Sequence, residues 1–388
     1  MGTASFIASR LNVRSTLATV CIAVSYLVMI VAMAVSAGFR REIRKGAADI
    51  SGDIQVVPIH QDYLSEDEHI SRNAAYLPYL EEMPEVEEVM PVIYRAGLVK
   101  AGDNIHGVMF KAVPNPADTG RLAVSIPVRL SELLSLEVGD RMLCYFVGES
   151  VKLRNFTVAS VYEGILGGTD QLVVYGSLAD FQRLNGWSAD DVSAFELRVK
   201  PQCRSRRRLT ELEAEAGFRL SAYRGEDDDA VFARSSASTY SALFGWLDVI
   251  DLNVLVILIL MTVVAGFNMI SGLLIILFEN ISTIGLLKAL GMKNRDIRRV
   301  FLNSASRIVL LAMLVGNALA LTFCLVQGST HLIPLDPENY FVSYVPVSLN
   351  PLTVLLTDAL SYSVIMLFLL IPTHFISKVD PADTVRVN

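Results

Sequence analysis

Charge is scarce in this chain, and so are the residues that usually carry catalysis, metal binding or redox chemistry. Only 19% of its 388 residues are charged, against 52% that are hydrophobic; ordinary soluble domains carry about 25% charged residues. Intrinsic disorder is excluded, because it needs low hydrophobicity and high charge. Neither C-x-x-C nor H-E-x-x-H occurs, and His60, His69, His106, His331 and His374 are scattered without a partner at metal-ligand spacing. A G-x-x-x-x-G-K-[ST] phosphate loop and a G-x-S-x-G elbow are also missing, which removes P-loop ATP binding and that class of hydrolase. The net charge of −7 has the wrong sign for replacing counterions on nucleic acid. The expectation is a chain with no catalytic residues, no metal, no cofactor of its own and no nucleic-acid partner.

What is present is oil, in four blocks. Residues 16–39, 252–278, 308–327 and 352–371 run about 24, 27, 20 and 20 residues without Lys or Arg, and about 20 apolar residues suffice for a helix to cross a bilayer. The first block has no A-x-A-like site after it, and Val20 is too large to precede a lipoprotein cysteine at Cys21, so it reads as a retained signal anchor. Orientation follows from the short loops. Residues 279–307 hold Lys288, Lys293, Arg295, Arg298, Arg299 and Arg307 against Glu279 and Asp296, whereas 328–351 hold no Lys or Arg. The first loop is then cytoplasmic, both termini are inside, and the long segment between spans one and two is outside. Arg40, Arg41, Arg44 and Lys45 after span one oppose this, but long translocated domains obey the charge rule poorly.

The division expected is 1–39 for the N-terminal segment and span one, 40–250 for an outer domain, and 251–388 for the remaining spans, their loops and the tail. From Gly38 to Asp248 there are 23 Lys and Arg against 32 Asp and Glu, so the outer domain carries the acidity. Alternation predicts strands over 53–59, 89–100, 105–113, 141–147, 155–162, 171–175, 193–200 and 218–223, with helices over 74–83, 128–136, 177–184 and 204–216. That order suggests one α/β layer with a β-rich subdomain inserted at about 121–190. Cys21 and Cys324 fall in spans. Cys144 and Cys203 fall in the outer domain, where an oxidising exterior permits a disulfide but no spacing argues for one.

The loop after span two reads Glu279-Asn280-Ile281-Ser282-Thr283-Ile284-Gly285-Leu286-Leu287-Lys288-Ala289-Leu290-Gly291-Met292-Lys293. Glu279 and Ser282-Thr283 suit a helix start, and Gly291 suits a left-handed stop. Ile281, Ile284, Leu287 and Leu290 then form a three-residue stripe, which could lie in the headgroup plane or be gripped by a cytoplasmic protein. Within the spans, Asn268 and Asp358 are polar groups at membrane depth, and Ala312, Gly316 and Ala320 offer a small-residue face for close helix packing.

This loop closely resembles the E-x-x-x-x-I-G-x-x-K-A-L-G-A/M pattern of the FtsX-like (type VII) ABC transporter permeases, the family of MacB, LolC, LolE and FtsX. Phe6 to Leu11 (FIASRL) and the tail Ile376-Ser377-Lys378-Val379-Asp380-Pro381-Ala382, closed by Thr384-Val385-Arg386, are similar to the family's two ends. The resemblance spans the whole chain. It implies an α-helical membrane protein with four transmembrane helices and a large periplasmic α/β domain, a porter-like part with an inserted β-rich part. It also implies an inner-membrane location and a mechanical role. Ile281, Ile284, Gly285, Leu287, Lys288, Ala289, Leu290 and Gly291, with Glu279, would form the helix that docks on a cytoplasmic ABC ATPase dimer, which binds the ATP. A second permease chain, the same or related, and a lipid or lipoprotein substrate are the other partners implied. The size of the outer domain most resembles the lipoprotein-releasing LolC/LolE type. The hairpin Val147-Gly148-Glu149-Ser150-Val151 is short and lacks proline, so docking of a periplasmic carrier or adaptor stays open. A MacB-like efflux permease and an FtsX-like regulator of a cell-wall hydrolase are the alternatives.

Overall fold

The computed structural model describes residues 16–60, 62–101, 104–114, 120–148, 150–164 and 172–373. The N-terminal FIASRL motif, Glu149 of the hairpin and the tail motif lie outside them. The chain divides into two compact units. One takes residues 1–39, 248–333 and 345–388; the other takes Arg40–Leu247 and Pro334–Tyr344.

The first unit is helical. Among the described residues, four helices are long and apolar enough to cross a membrane: Thr16–Ser51, Ser241–Glu279, Asn294–Thr330 and Pro351–Thr373. Their shared core joins Ile22, Tyr26 and Met29 of the first to Met269 and Leu273 of the second, Phe301, Val309 and Ala312 of the third, and Ile365 and Leu369 of the fourth. Such helices need small residues to approach each other, because lipid offers no hydrophobic drive to associate. Gly316 shows the requirement: a Cβ there would stand 2.5 Å from the Ala23 carbonyl oxygen and 2.8 Å from Tyr26 Cβ.

The second unit is an α/β fold with eleven strands among its described residues: β1 Ile54–Pro58, β2 Ile70–Ser71, β3 Val86–Ala101, β4 Asn104–Val113, β5 Ala123–Pro127, β6 Arg141–Phe146, β7 Lys152–Tyr162, β8 Val173–Ser177, β9 Asp191–Val192, β10 Ala194–Val199 and β11 Val231–Ser235. Nine form one sheet in the order β11-β1-β10-β3-β4-β8-β5-β7-β6, and β6 pairs back onto β3 at Leu98–Lys100. The last six strands are therefore a closed ring. Its interior holds Phe110, Phe146, Phe156 and Phe181, whose ring centroids lie 5.0 to 6.2 Å apart, within the range of favourable aromatic pairing. Strand β3 belongs to both parts: Val86–Val92 pairs with β10, and Ile93–Ala101 with β4. The ring thus takes in strands on the N-terminal side of residue 121, where sequence order begins the insert.

One expectation fails. Residues 218–223, read as a strand, continue the helix Arg206–Ala222, because Ser205 caps its start and Gly217 alone is too weak a breaker to stop it. The sheet instead receives Val231–Ser235, pairing with β1. Cys144 and Cys203 are free thiols, both buried.

Candidate functional site

Between spans two and three the chain makes a short helix, Ile281–Ala289, broken from its predecessor at Asn280. Glu279 closes the preceding helix instead of opening this one. Gly291 adopts φ +86°, which frees the chain to turn into Asn294–Thr330. Ile284 and Gly285 are buried, and Leu287 packs against the helical core, but Ile281, Leu286 and Leu290 are 38%, 58% and 75% exposed. The expected stripe of Ile281, Ile284, Leu287 and Leu290 therefore splits. At about 100° per residue, three-residue steps drift by about 60°, so the two middle members face the core and the end members flank it. The outward face carries Ile281, Ser282, Leu286, Ala289 and Leu290, all exposed, and Lys288 is half-buried beside it.

Inside the helical unit, Asn317 Nδ2 donates to Asp358 Oδ2 at 2.6 Å, and Ser361 Oγ donates to the Tyr26 hydroxyl at 3.2 Å. The first bond joins helix Asn294–Thr330 to helix Pro351–Phe368, and an interhelical hydrogen bond of this kind fixes their register. Asn268 stands half-buried on Ser241–Glu279 and is not part of this pair. Ala312, Gly316 and Ala320 are all buried on one face of their helix.

The α/β unit holds a buried network that sequence reading missed. Helix Thr16–Ser51 ends here, with Gly52 after it at φ +67°; a Cβ on Gly52 would lie 2.8 Å from Glu196 Cβ. Lys111 Nζ donates to the carbonyls of Asp49 at 2.7 Å and Ile50 at 3.2 Å, and pairs with Glu196 at 2.7 Å. The Tyr94 hydroxyl donates to the same carboxylate, and the Tyr175 hydroxyl to Asp49 O at 3.1 Å. A cation on the last carbonyls of a 36-residue helix satisfies acceptors that the helix cannot, and opposes the negative end of its dipole. Glu196 is fully buried; burial holds its carboxyl above the ordinary range, against the lowering pull of Lys111. The signal was one Lys and one Glu within mostly apolar stretches of two strands, which become partners only once β4 and β10 are placed. The basic run at 204–208 is used internally: Arg204 pairs with Asp53, and Arg208 with Glu85 and Glu211.

A cleft of about 1230 Å³ opens in the same unit, reaching from Asp49, Ile50 and Lys111 to the exposed side chains of Glu88, Glu132 and Glu163.

Comparison with known proteins places both units. The family described as MacB-like periplasmic core domain matches residues 15–216, and the FtsX-like permease C-terminal family matches residues 255–381. The chain is similar to the lipoprotein-releasing system transmembrane protein LolC of Xylella fastidiosa (strain 9a5c), with 23% identity over 94% of this chain and 92% of that protein. Its identity to the corresponding LolE of Haemophilus influenzae is 21%, over 93% and 91%. Among solved structures, the periplasmic region of MacB from Actinobacillus actinomycetemcomitans aligns with 49% of this chain and 91% of its own, at 10% identity and a TM-score of 0.32. The first of these family matches alone covers over half of the chain, and the second takes in three of its four apolar helices: the chain belongs to the FtsX-like permeases that carry a MacB-like periplasmic core domain.

Proposed function

We propose that this chain is the non-catalytic permease subunit of an inner-membrane ABC transporter, driven by a separate ATPase that grips the outward face of Ile281–Ala289, and that it releases lipoproteins from that membrane. One observation carries the coupling: a nine-residue helix between two spans and its C-cap leave Leu286 and Leu290 more than half exposed, although burying a leucine contributes about 1.5–3 kcal/mol. Exposed Lys293, Arg295 and Arg299 follow in the next helix and its cap, and cationic loops stay cytoplasmic. The α/β domain then belongs to the opposite side. Closure of an ATPase dimer displaces the short helix, and the unbroken helices Ser241–Glu279 and Thr16–Ser51 carry that displacement outward. Coupling requires a contiguous path with two discrete states, and long helices supply the path. The lipoprotein assignment rests on the LolC and LolE relatives, which match nearly end to end.

Leu286→Asp tests the coupling. The full chain carrying it should lose the co-purifying ATPase and its ATP turnover while melting at the wild-type temperature, because Leu286 contributes little to the core. Undiminished co-purification and turnover would refute the assignment. For the substrate, proteoliposomes holding the complex and a lipoprotein should release the latter only with ATP.

A further inference from the structure

We propose that the cleft of the α/β domain binds an extended, basic polypeptide segment, which adds as a strand to the open edge of β3. This goes beyond the permease assignment and stands on the cleft itself. Strand β3 is covered by β10 along Val86–Val92 on one side, but β4 joins it only from Ile93 onward. Among the described residues the other side of Val86–Val92 pairs with no strand. The polarity of that edge is fixed by one bond: Ser193 N donates to Val92 O. In an antiparallel pair, a residue's N–H and C=O point the same way and alternate along the strand. Val92 and Met90 therefore serve β10, and Val89 N–H, Val89 C=O and Pro91 C=O face the open side. Pro91, with no N–H to offer, is tolerated for the same reason. An exposed row of this kind is a template for strand addition.

The edge borders the cleft, since Glu88, Val89, Met90 and Pro91 all line it. Val113, Val128 and Leu133 give it apolar walls. Its volume of about 1230 Å³ exceeds the roughly 300–1,000 Å³ of small-molecule sites, which suits a chain segment. Charge selects the occupant. Glu88, Glu132, Glu163 and Asp336 are exposed in the lining, whereas Arg129 and Arg198 are half-buried and Lys111 is committed to Glu196. Basic side chains alternating with apolar ones meet both demands, because strand side chains alternate between faces.

The test uses the full chain in phosphatidylcholine nanodiscs, which give a basic peptide no anionic lipid. The probes are a fluorescent peptide of alternating lysine and valine, its glutamate counterpart, and a copy N-methylated at alternate residues. The lysine peptide should bind saturably, and about tenfold tighter than either control. Val89→Pro should weaken it by a similar factor, because the lost N–H faces the cleft and, among the described residues, no partner strand. Glu132→Lys with Glu163→Lys should do likewise and keeps the test alive if the proline variant misfolds. Absent saturable binding overturns the proposal. Equal binding of the N-methylated copy overturns strand addition, and equal binding of the glutamate peptide overturns the charge selection.

Discussion

Replacing Lys111 by Met separates a buried charge from its partner and strips a helix end of its cap. In the wild type the ammonium lies 2.7 Å from Glu196 and 2.7 Å from the Asp49 carbonyl, and neither side chain is more than 2% exposed. Methionine keeps the length and the apolar stem, so the loss is electrostatic. Removing one member of a buried pair costs about 3–5 kcal/mol, because the other charge stays behind without compensation. At about 2–4 °C per kcal/mol for a domain of this size, melting should fall by about 6–20 °C. The readout is intrinsic: the two tryptophans, Trp187 and Trp246, both belong to the α/β unit. The pH dependence has a definite sign. Burial already raises the Glu196 carboxyl above its ordinary 4.5, and Lys111 is the chief influence lowering it. A group raised on folding contributes stability that is complete below its unfolded value and is lost as pH rises through its folded value. Removing Lys111 raises the folded value further, so the destabilisation should be largest at neutral pH and shrink below pH 4.5. Adding Glu196→Gln should recover much of the loss, since no buried charge then remains. A single variant melting within about 1 °C of wild type, or a double variant no better than the single, would refute the reasoning.

Two further expectations concern glycines. Gly316→Leu should drive the helices Thr16–Ser51 and Asn294–Thr330 apart, since even a Cβ meets the Ala23 carbonyl at 2.5 Å; overpacking of this kind costs about 1–3 kcal/mol, read as a lower midpoint for detergent-induced unfolding. Gly52→Ala should cost about 1–2 kcal/mol for the left-handed backbone alone, and more for the contact with Glu196 Cβ, measured by the same tryptophan signal.

The helical unit was the most legible part of this chain because composition alone marks it: no soluble fold asks for four such runs of oil. The strands of the α/β unit were mostly readable from alternation, but their closure was not. Nothing local tells Leu98 that it will face Tyr145, because ring closure depends on registers set far apart in sequence. Residues 218–223 misled because Phe218, Leu220 and Ala222 alternate with polar neighbours, a pattern that a helix end can share. Val231–Ser235 was missed because five residues behind an acidic turn carry too little pattern. At the candidate site, the loop chemistry was visible while its facing was not. A three-residue stripe names the residues on a short helix, but the core it meets decides that Ile284 turns in and Leu290 turns out. Lys111 and Glu196 lie 85 positions apart, so their partnership exists only in the folded sheet.

The shared strand β3 has a consequence for how this architecture can change over time. A module inserted between two elements can be cut out or traded when its chain enters and leaves at one place. Here the ring borrows half of β3 and all of β4 from the part that would remain. Excising residues 121–190 would leave Phe110 without Phe146, Phe156 and Phe181 and would leave β4 and the second half of β3 as a two-stranded ribbon stripped of its partners β6 and β8. The ring can be reshaped at its loops, but it cannot be removed.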